Sequence, residues 1–229
     1  MAKDDTGRLH VTVKSGGKRK LSSKLWLERQ LNDPYVAQAK RDGYRSRAAY
    51  KLIEIDDKYR ILKTGQSIVD LGAAPGGWSQ IAAKRVSAAE GKGRVVAIDL
   101  LDMPEIPGVN FARLDFLDDA APGKLREMIG GGADVVMSDM AANTTGHRKT
   151  DQLRILGLVE GAAAFACEVL KPGGTFLAKV FQSGADAALL SQLKRDFSSV
   201  RHVKPAASRQ DSSERYVLAT GFRGSNAPA

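Results

Sequence analysis

The stretch Ile68-Val-Asp-Leu-Gly-Ala-Ala-Pro-Gly-Gly-Trp78 decides how this chain is read. A short apolar segment, Ser67–Leu71, runs into a glycine turn and then into a helical pattern over Trp78–Val86. Gly72 can take a turn conformation closed to other residues, and Gly76 and Gly77 let a ligand approach the backbone closely. Free N–H groups at the start of the next helix favour a carboxylate or a phosphate. No GxxxxGK[ST] pattern follows, which disfavours a P-loop nucleotide hydrolase. Asp99 closes the run Val95-Val-Ala-Ile-Asp99, 27 residues after Gly72 and one strand–helix–strand unit later. An acid in that place can accept hydrogen bonds from both hydroxyls of a ribose. Two cofactors fit this geometry, a nicotinamide dinucleotide and S-adenosylmethionine. Ala74 stands where a dinucleotide fingerprint has its second glycine, and that tilts the reading toward S-adenosylmethionine.

Outward from this turn, strands and helices alternate. Strand-like runs appear at Ser67–Leu71, Val95–Leu100, Val109–Asp115, Val135–Asp139, Thr175–Phe181 and Arg215–Thr220, with a weaker one at Val200–Lys204. Helical stretches fall at Trp78–Val86, Lys124–Ile129, Asp151–Leu170 and Ala185–Phe197, with Gly and Pro between elements at Pro107-Gly108 and Pro172-Gly173-Gly174. This alternation predicts an α/β fold with a mostly parallel sheet and helices on both faces. Upstream, residues 22–32 read as a short helix that buries Leu25, Trp26 and Leu31. A second helical pattern after Ser46 puts Ala49, Leu52, Ile53 and Tyr59 on one stripe. Residues 1–21 read as a flexible basic arm, 22–223 as one domain and 224–229 as a disordered tail.

Composition narrows the function. The chain has 229 residues, enough for one sizeable domain, and its 43% hydrophobic and 27% charged residues are ordinary globular values. No apolar run approaches the roughly 20 residues that span a bilayer, and no secretory signal is supported. A cytoplasmic protein with no membrane contact is expected. Its single cysteine, Cys167, and three scattered histidines, His10, His147 and His202, exclude a disulfide framework and a multi-cysteine zinc site. Cys167 reads as a small core residue, and no metal is expected. The net charge is +9, unevenly placed. Residues 1–60 carry 15 Lys and Arg against 8 Asp and Glu, and residues 194–229 carry 7 against 3. The centre, 61–193, carries 13 against 15. Basic ends around a near-neutral centre favour a polyanionic partner if the ends share a face.

Three further residues stand out. Asp115 and Asp139 close the third and fourth strand runs, where doubly wound sheets place ligands and catalysis. Asp115 is a candidate for the adenine amino group. Lys179 is the oddest, a cation inside the apolar run Leu177-Ala-Lys-Val-Phe181.

These segments together resemble the FtsJ family of ribose 2′-O-methyltransferases. The resemblance rests on Asp70-Leu-Gly-Ala-Ala-Pro-Gly-Gly-Trp-Ser-Gln80, Arg45-Ser-Arg-Ala-Ala-Tyr-Lys51-Leu, Val136-Met-Ser-Asp139-Met-Ala, Ala178-Lys179-Val-Phe and Ser213-Glu214-Arg-Tyr. It covers the chain from about Leu25 to Phe222. It implies a Rossmann-like, S-adenosylmethionine-dependent fold with a seven-stranded sheet whose last strand is antiparallel. It also implies a catalytic tetrad of Lys51, Asp139, Lys179 and Glu214, and a cofactor site lined by Gly72, Gly76, Gly77, Trp78, Asp99, Asp115 and Asp139. The implied substrate is a uridine ribose in the 23S rRNA of the large ribosomal subunit, met by a monomer. One departure is Ala142, where the family commonly has Pro before the retained Asn143.

The chemistry gives such a tetrad a reason. A ribose hydroxyl is a poor nucleophile at neutral pH, whereas a sulfonium methyl is already activated, so the protein must orient the attack and help remove one proton. Lys179 could act as the base if neutral, or stay charged and steady the developing oxyanion; sequence leaves both open. Arg41, Arg45, Arg47, Lys204 and Arg209 lie near the tetrad in sequence and are the expected phosphate contacts. Rival readings are methylation of tRNA or an mRNA cap, and a non-catalytic RNA-binding assembly factor.

Overall fold

The computed structural model describes residues 11–13, 21–142, 148–181, 187–210 and 212–224, and omits the side chains of Ser22, Trp26, Arg148 and Lys149. The expectations for most of the basic arm, for the tail beyond 224, and for Trp26, Asn143 and His147 therefore lie outside the described residues. The strands are β1 (Ser67–Leu71), β2 (Arg94–Asp99), β3 (Val109–Arg113), β4 (Ala133–Ser138), β5 (Leu170–Phe181), β6 (Phe197–Val203) and β7 (Glu214–Phe222). The helices are α1 (Leu21–Leu31), α2 (Pro34–Asp42), α3 (Ala48–Tyr59), α4 (Gly77–Val86), α5 (Ala121–Ile129), α6 (Arg148–Val169) and α7 (Ala187–Asp196). The strands form one sheet in the order β3-β2-β1-β4-β5-β7-β6, and β7 alone runs opposite to the other six. The predicted α/β architecture, including its antiparallel strand, is what forms.

From β1 the chain winds outward to β2 and β3, then returns to the other side of β1 as β4. That reversal opens a crevice at the C-terminal ends of β1 and β4, where open α/β sheets bind ligands.

Side-chain alternation sorts the sheet into two faces. Val69, Leu71, Val136, Phe176, Ala178, Val180, Val217 and Ala219 pack with residues of α5, α6 and α7. Ile68, Val95, Ala97, Met137, Leu177, Tyr216 and Leu218 pack with residues of α3 and α4. The second face matters for function. A period of two puts Asp70 with Ile68, Asp139 with Met137, Lys179 with Leu177, and Glu214 with Tyr216. The register brings them level, with Asp70 opposite Met137 and Lys179 opposite Tyr216.

Local differences have local causes. The sequence reading lacks α2, which is short and largely polar and buries only Ala39. Its ends are nonetheless well marked, by Asp33 accepting from the Tyr35 N–H, Pro34 in the first turn and Gly43 at φ +76°. Leu25 and Leu31, expected inside, are 52% and 51% exposed, so α1 buries no such face. β5 starts at Leu170, ahead of the Pro172-Gly173-Gly174 break. Leu170 pairs with Ala133, and an irregularity then lets Thr175 meet Val135.

Candidate active site

The glycine turn and the β4 end meet at the crevice. Asp139 N–H donates to Leu71 O (3.2 Å), and Met140 packs so tightly on Gly72 that a Cβ there would stand 2.9 Å from the Met140 Cα. Gly72 has φ +80°, so glycine is required twice over. Gly76 opens α4, whose N-terminus has no side-chain cap and no acid in its first turn. Such an end presents unpaired N–H groups to an anion. Asp99 stands at the end of β2, its Oδ2 accepting from Ala74 N–H (2.9 Å) and its Oδ1 from Leu101 N–H (2.8 Å). Exposed Asp115 stands two residues past the end of β3 at the same edge, where its Oδ1 accepts from Leu117 N–H (2.9 Å).

Trp78 is engaged inside the protein by its side chain. Its side chain is 3% exposed, its indole N–H donates to Ala48 O (2.9 Å), and its ring lies 5.5 Å from that of Tyr216. The side chain couples the turn to α3.

The four residues expected to form a tetrad converge. Lys179 Nζ lies 2.6 Å from Asp139 O and 3.1 Å from Asp139 Oδ1. Lys51 Nζ lies 2.6 Å from Glu214 Oε1. Both lysines are buried, at 7% and 8% exposure, and each is paired with an acid as a buried cation requires. The Tyr216 hydroxyl joins the pairs: it accepts from Lys51 Nζ (3.2 Å) and donates to Asp139 Oδ1 (2.9 Å). Burial, then Asp139 and Glu214, push the Tyr216 pKa well above its usual value, so the phenol remains a donor.

Sequence reasoning gave no role to four residues that matter here. Tyr216 is two places from Glu214 on one strand, so alternation alone puts both on one face. Ser208 is buried and donates to Glu214 Oε1 (2.9 Å), fixing the carboxylate that holds Lys51. Gln80 supports the chain before α3. Asp70 is fully buried beneath the glycine turn. Its Oδ2 accepts from Ser79 Oγ (2.6 Å), while Oδ1 has no partner among the described residues. Burial raises its pKa to about 7; nearby Asp139 and Asp99 add to the rise and the Ser79 hydroxyl opposes it.

The five expected phosphate contacts are differently engaged. Arg41 is exposed on the last turn of α2. Arg47 and Arg209 both reach the buried Asp33 carboxylate, at 3.2 and 3.1 Å, and Arg47 also donates to Ala207 O. Lys204 holds Gln210 O and Ser212 O. Arg45 donates to Pro104 O and Glu105 O. Cys167 is half-buried against the core, with a thiol that burial pushes up to about 12.

Residues 44–222 match the model of the family described as FtsJ-like methyltransferase. The chain belongs to that family. This FtsJ-like chain is 83% identical to ribosomal RNA large subunit methyltransferase E of Nitrobacter winogradskyi, over 98% of this chain and 97% of the relative. It is 84% identical to the protein of that name from Afipia carboxidovorans, over 98% and 100%. Among solved structures, a Plasmodium falciparum protein described as a ribosomal RNA methyltransferase superimposes with a TM-score of 0.70. It is 32% identical and covers 79% of this chain and 100% of its own. The tetrad, the glycine turn and Asp99 all lie within the matched segment.

Proposed function

We propose that this chain transfers a methyl group from S-adenosylmethionine to the 2′-hydroxyl of a uridine ribose in 23S rRNA of the large ribosomal subunit. The observation that carries the reading is the meeting of Lys51, Asp139, Lys179 and Glu214 around one phenol, beside a glycine turn at the sheet's reversal. The relatives named for large-subunit rRNA methylation support the substrate.

The crevice suits the methyl donor. The uncapped start of α4, at the N–H groups of Gly77 and Trp78, matches a carboxylate, the Gly76 N–H being spent on Ala73 O, and Asp99 matches the ribose hydroxyls. Asp115 is in reach of an adenine amino group at the same edge. When bound, S-adenosylmethionine supplies an activated sulfonium methyl.

Lys179 directs two of its N–H groups to Asp139 and has a third for the 2′-hydroxyl oxygen. That contact orients the oxygen for in-line attack on the methyl carbon and steadies its negative charge while its proton passes to solvent water, with the thioether S-adenosylhomocysteine as the leaving group. Asp139 sets the direction of Lys179, and Tyr216 sets that of Asp139. Glu214 and Ser208 hold Lys51 as the second cation of the site. In this reading the enzyme works as a monomer in the cytoplasm, a location supported by relatives named for ribosomal RNA. No helix of the described residues is long and apolar enough to cross a membrane.

The test is transfer of labelled methyl to large ribosomal subunits from a strain lacking this protein, with the modified nucleotide mapped. Wild-type protein labels one uridine ribose, and Lys179→Ala does not. Label on tRNA or capped RNA instead would overturn the substrate, and full activity of Lys179→Ala would overturn the tetrad.

A further inference from the structure

Arg45 lies between α2 and α3, where sequence position marks it as a phosphate contact. Its guanidinium is otherwise engaged. Nη1 donates to Pro104 O (2.6 Å) and Nη2 to Glu105 O (2.6 Å), with a longer contact from Nη1 to Pro75 O (3.4 Å). Pro75 belongs to the glycine turn; Pro104 and Glu105 belong to the segment that leaves β2 after Asp99. These are two walls of one crevice. Gly76 lies against the same guanidinium. A Cβ built there would stand 3.0 Å from Arg45 Nη1, 2.8 Å from Met103 Sδ and 2.8 Å from Ile106 Cδ1.

Arg45 is itself fixed from α4. Gln80 Oε1 accepts the Arg45 N–H (2.8 Å), and Gln80 Nε2 donates to Gly43 O (3.1 Å). Ser46 closes the same joint, since a Cβ on Gly77 would stand 2.3 Å from Ser46 Oγ. The segment 43–46, the glycine turn and the segment after β2 are thus locked into one unit, with Arg45 at its centre.

We infer that Arg45 is a positioning residue of the cofactor crevice: it ties the glycine turn to the segment after β2, so that the crevice is shaped before the methyl donor arrives. The inference rests on reading this crevice as the S-adenosylmethionine site. A planar guanidinium can fork between neighbouring carbonyls, and an ammonium on a flexible stem cannot reproduce that bridge. A pre-shaped crevice avoids the ordering cost of binding.

The experiment is calorimetric titration of the RNA-free protein with S-adenosylhomocysteine. Losing two charge-assisted hydrogen bonds should raise the Kd about tenfold in both Arg45→Ala and Arg45→Lys. Gln80→Ala, which releases the Arg45 main chain, should raise it roughly threefold. RNA affinity of cofactor-free Arg45→Lys should stay within about twofold of wild type, because the positive charge is kept. A pure phosphate contact gives the opposite pattern, with wild-type S-adenosylhomocysteine affinity in all three variants, and that result overturns the inference. If Arg45→Ala does not fold, Arg45→Lys and Gln80→Ala decide in the same way. Failure of the wild type itself to bind S-adenosylhomocysteine would instead remove the cofactor reading, so the two failures are distinguishable.

Discussion

The candidate site has two halves made of different material. Around β1 and β2 the site is mostly backbone: glycine conformations, helix N–H groups and carboxylates that hold loops. Around β4, β5 and β7 it is side chain: two buried lysines, two acids and a phenol drawn from segments as much as 165 residues apart. The first half is encoded within one contiguous stretch. The second exists only when strand parity and register are right, since a shift of one residue in β5 would send Lys179 to the opposite face.

Each half can be probed separately. The largest effect belongs to the side-chain half: Lys179→Ala should lower kcat by about 10²–10³-fold while leaving S-adenosylhomocysteine affinity intact. A parallel loss of cofactor affinity would merge the two halves. Next is Gly72→Ala, which forces a Cβ against the Met140 backbone at φ +80°. It should cost about 3 kcal/mol of stability in urea titration and weaken S-adenosylhomocysteine binding as well. Wild-type values for both would show that the turn adapts. Tyr216→Phe leaves both ion pairs in place and removes only their link. It should reduce kcat about tenfold, with the KM for each substrate unchanged.

The smallest effect concerns Asp70. Its folded pKa of about 7 lies above the model value of 3.8. Between those pH values the folded state keeps a proton that the unfolded state has lost. The stability this group contributes is therefore fully present below pH 3.8 and is lost as the pH rises toward 7. Asp70→Asn does not ionise and escapes that loss. Its Tm should exceed that of wild type by several degrees more at pH 8 than at pH 5. An equal difference at both pH values would show that Asp70 does not ionise in this range.

The sheet and the glycine turn were legible because strand periodicity and the Gly72–Trp78 stretch are local signals. Lys179 was legible for the opposite reason, being a cation where the pattern demands an apolar residue. Tyr216 looked like an ordinary strand residue, and only its pairing with Lys179 reveals its place. The engagement of Arg47 and Arg209 was hidden for want of a partner nearby in sequence. Nothing near Arg209 in sequence shows that its charge meets Asp33, 176 residues away. Helix α2, which Asp33 caps, escaped notice because packing did not stamp an apolar stripe on it.

The reversed direction of β7 carries a practical corollary. Its first residues, Glu214 and Tyr216, stand at the chemical rim, and its end at Phe222 pairs with Phe197 on the far rim of the sheet. A fluorescent module attached at that strand end starts from the rim opposite Lys179, so such a fusion should label the protein without covering the paired lysines.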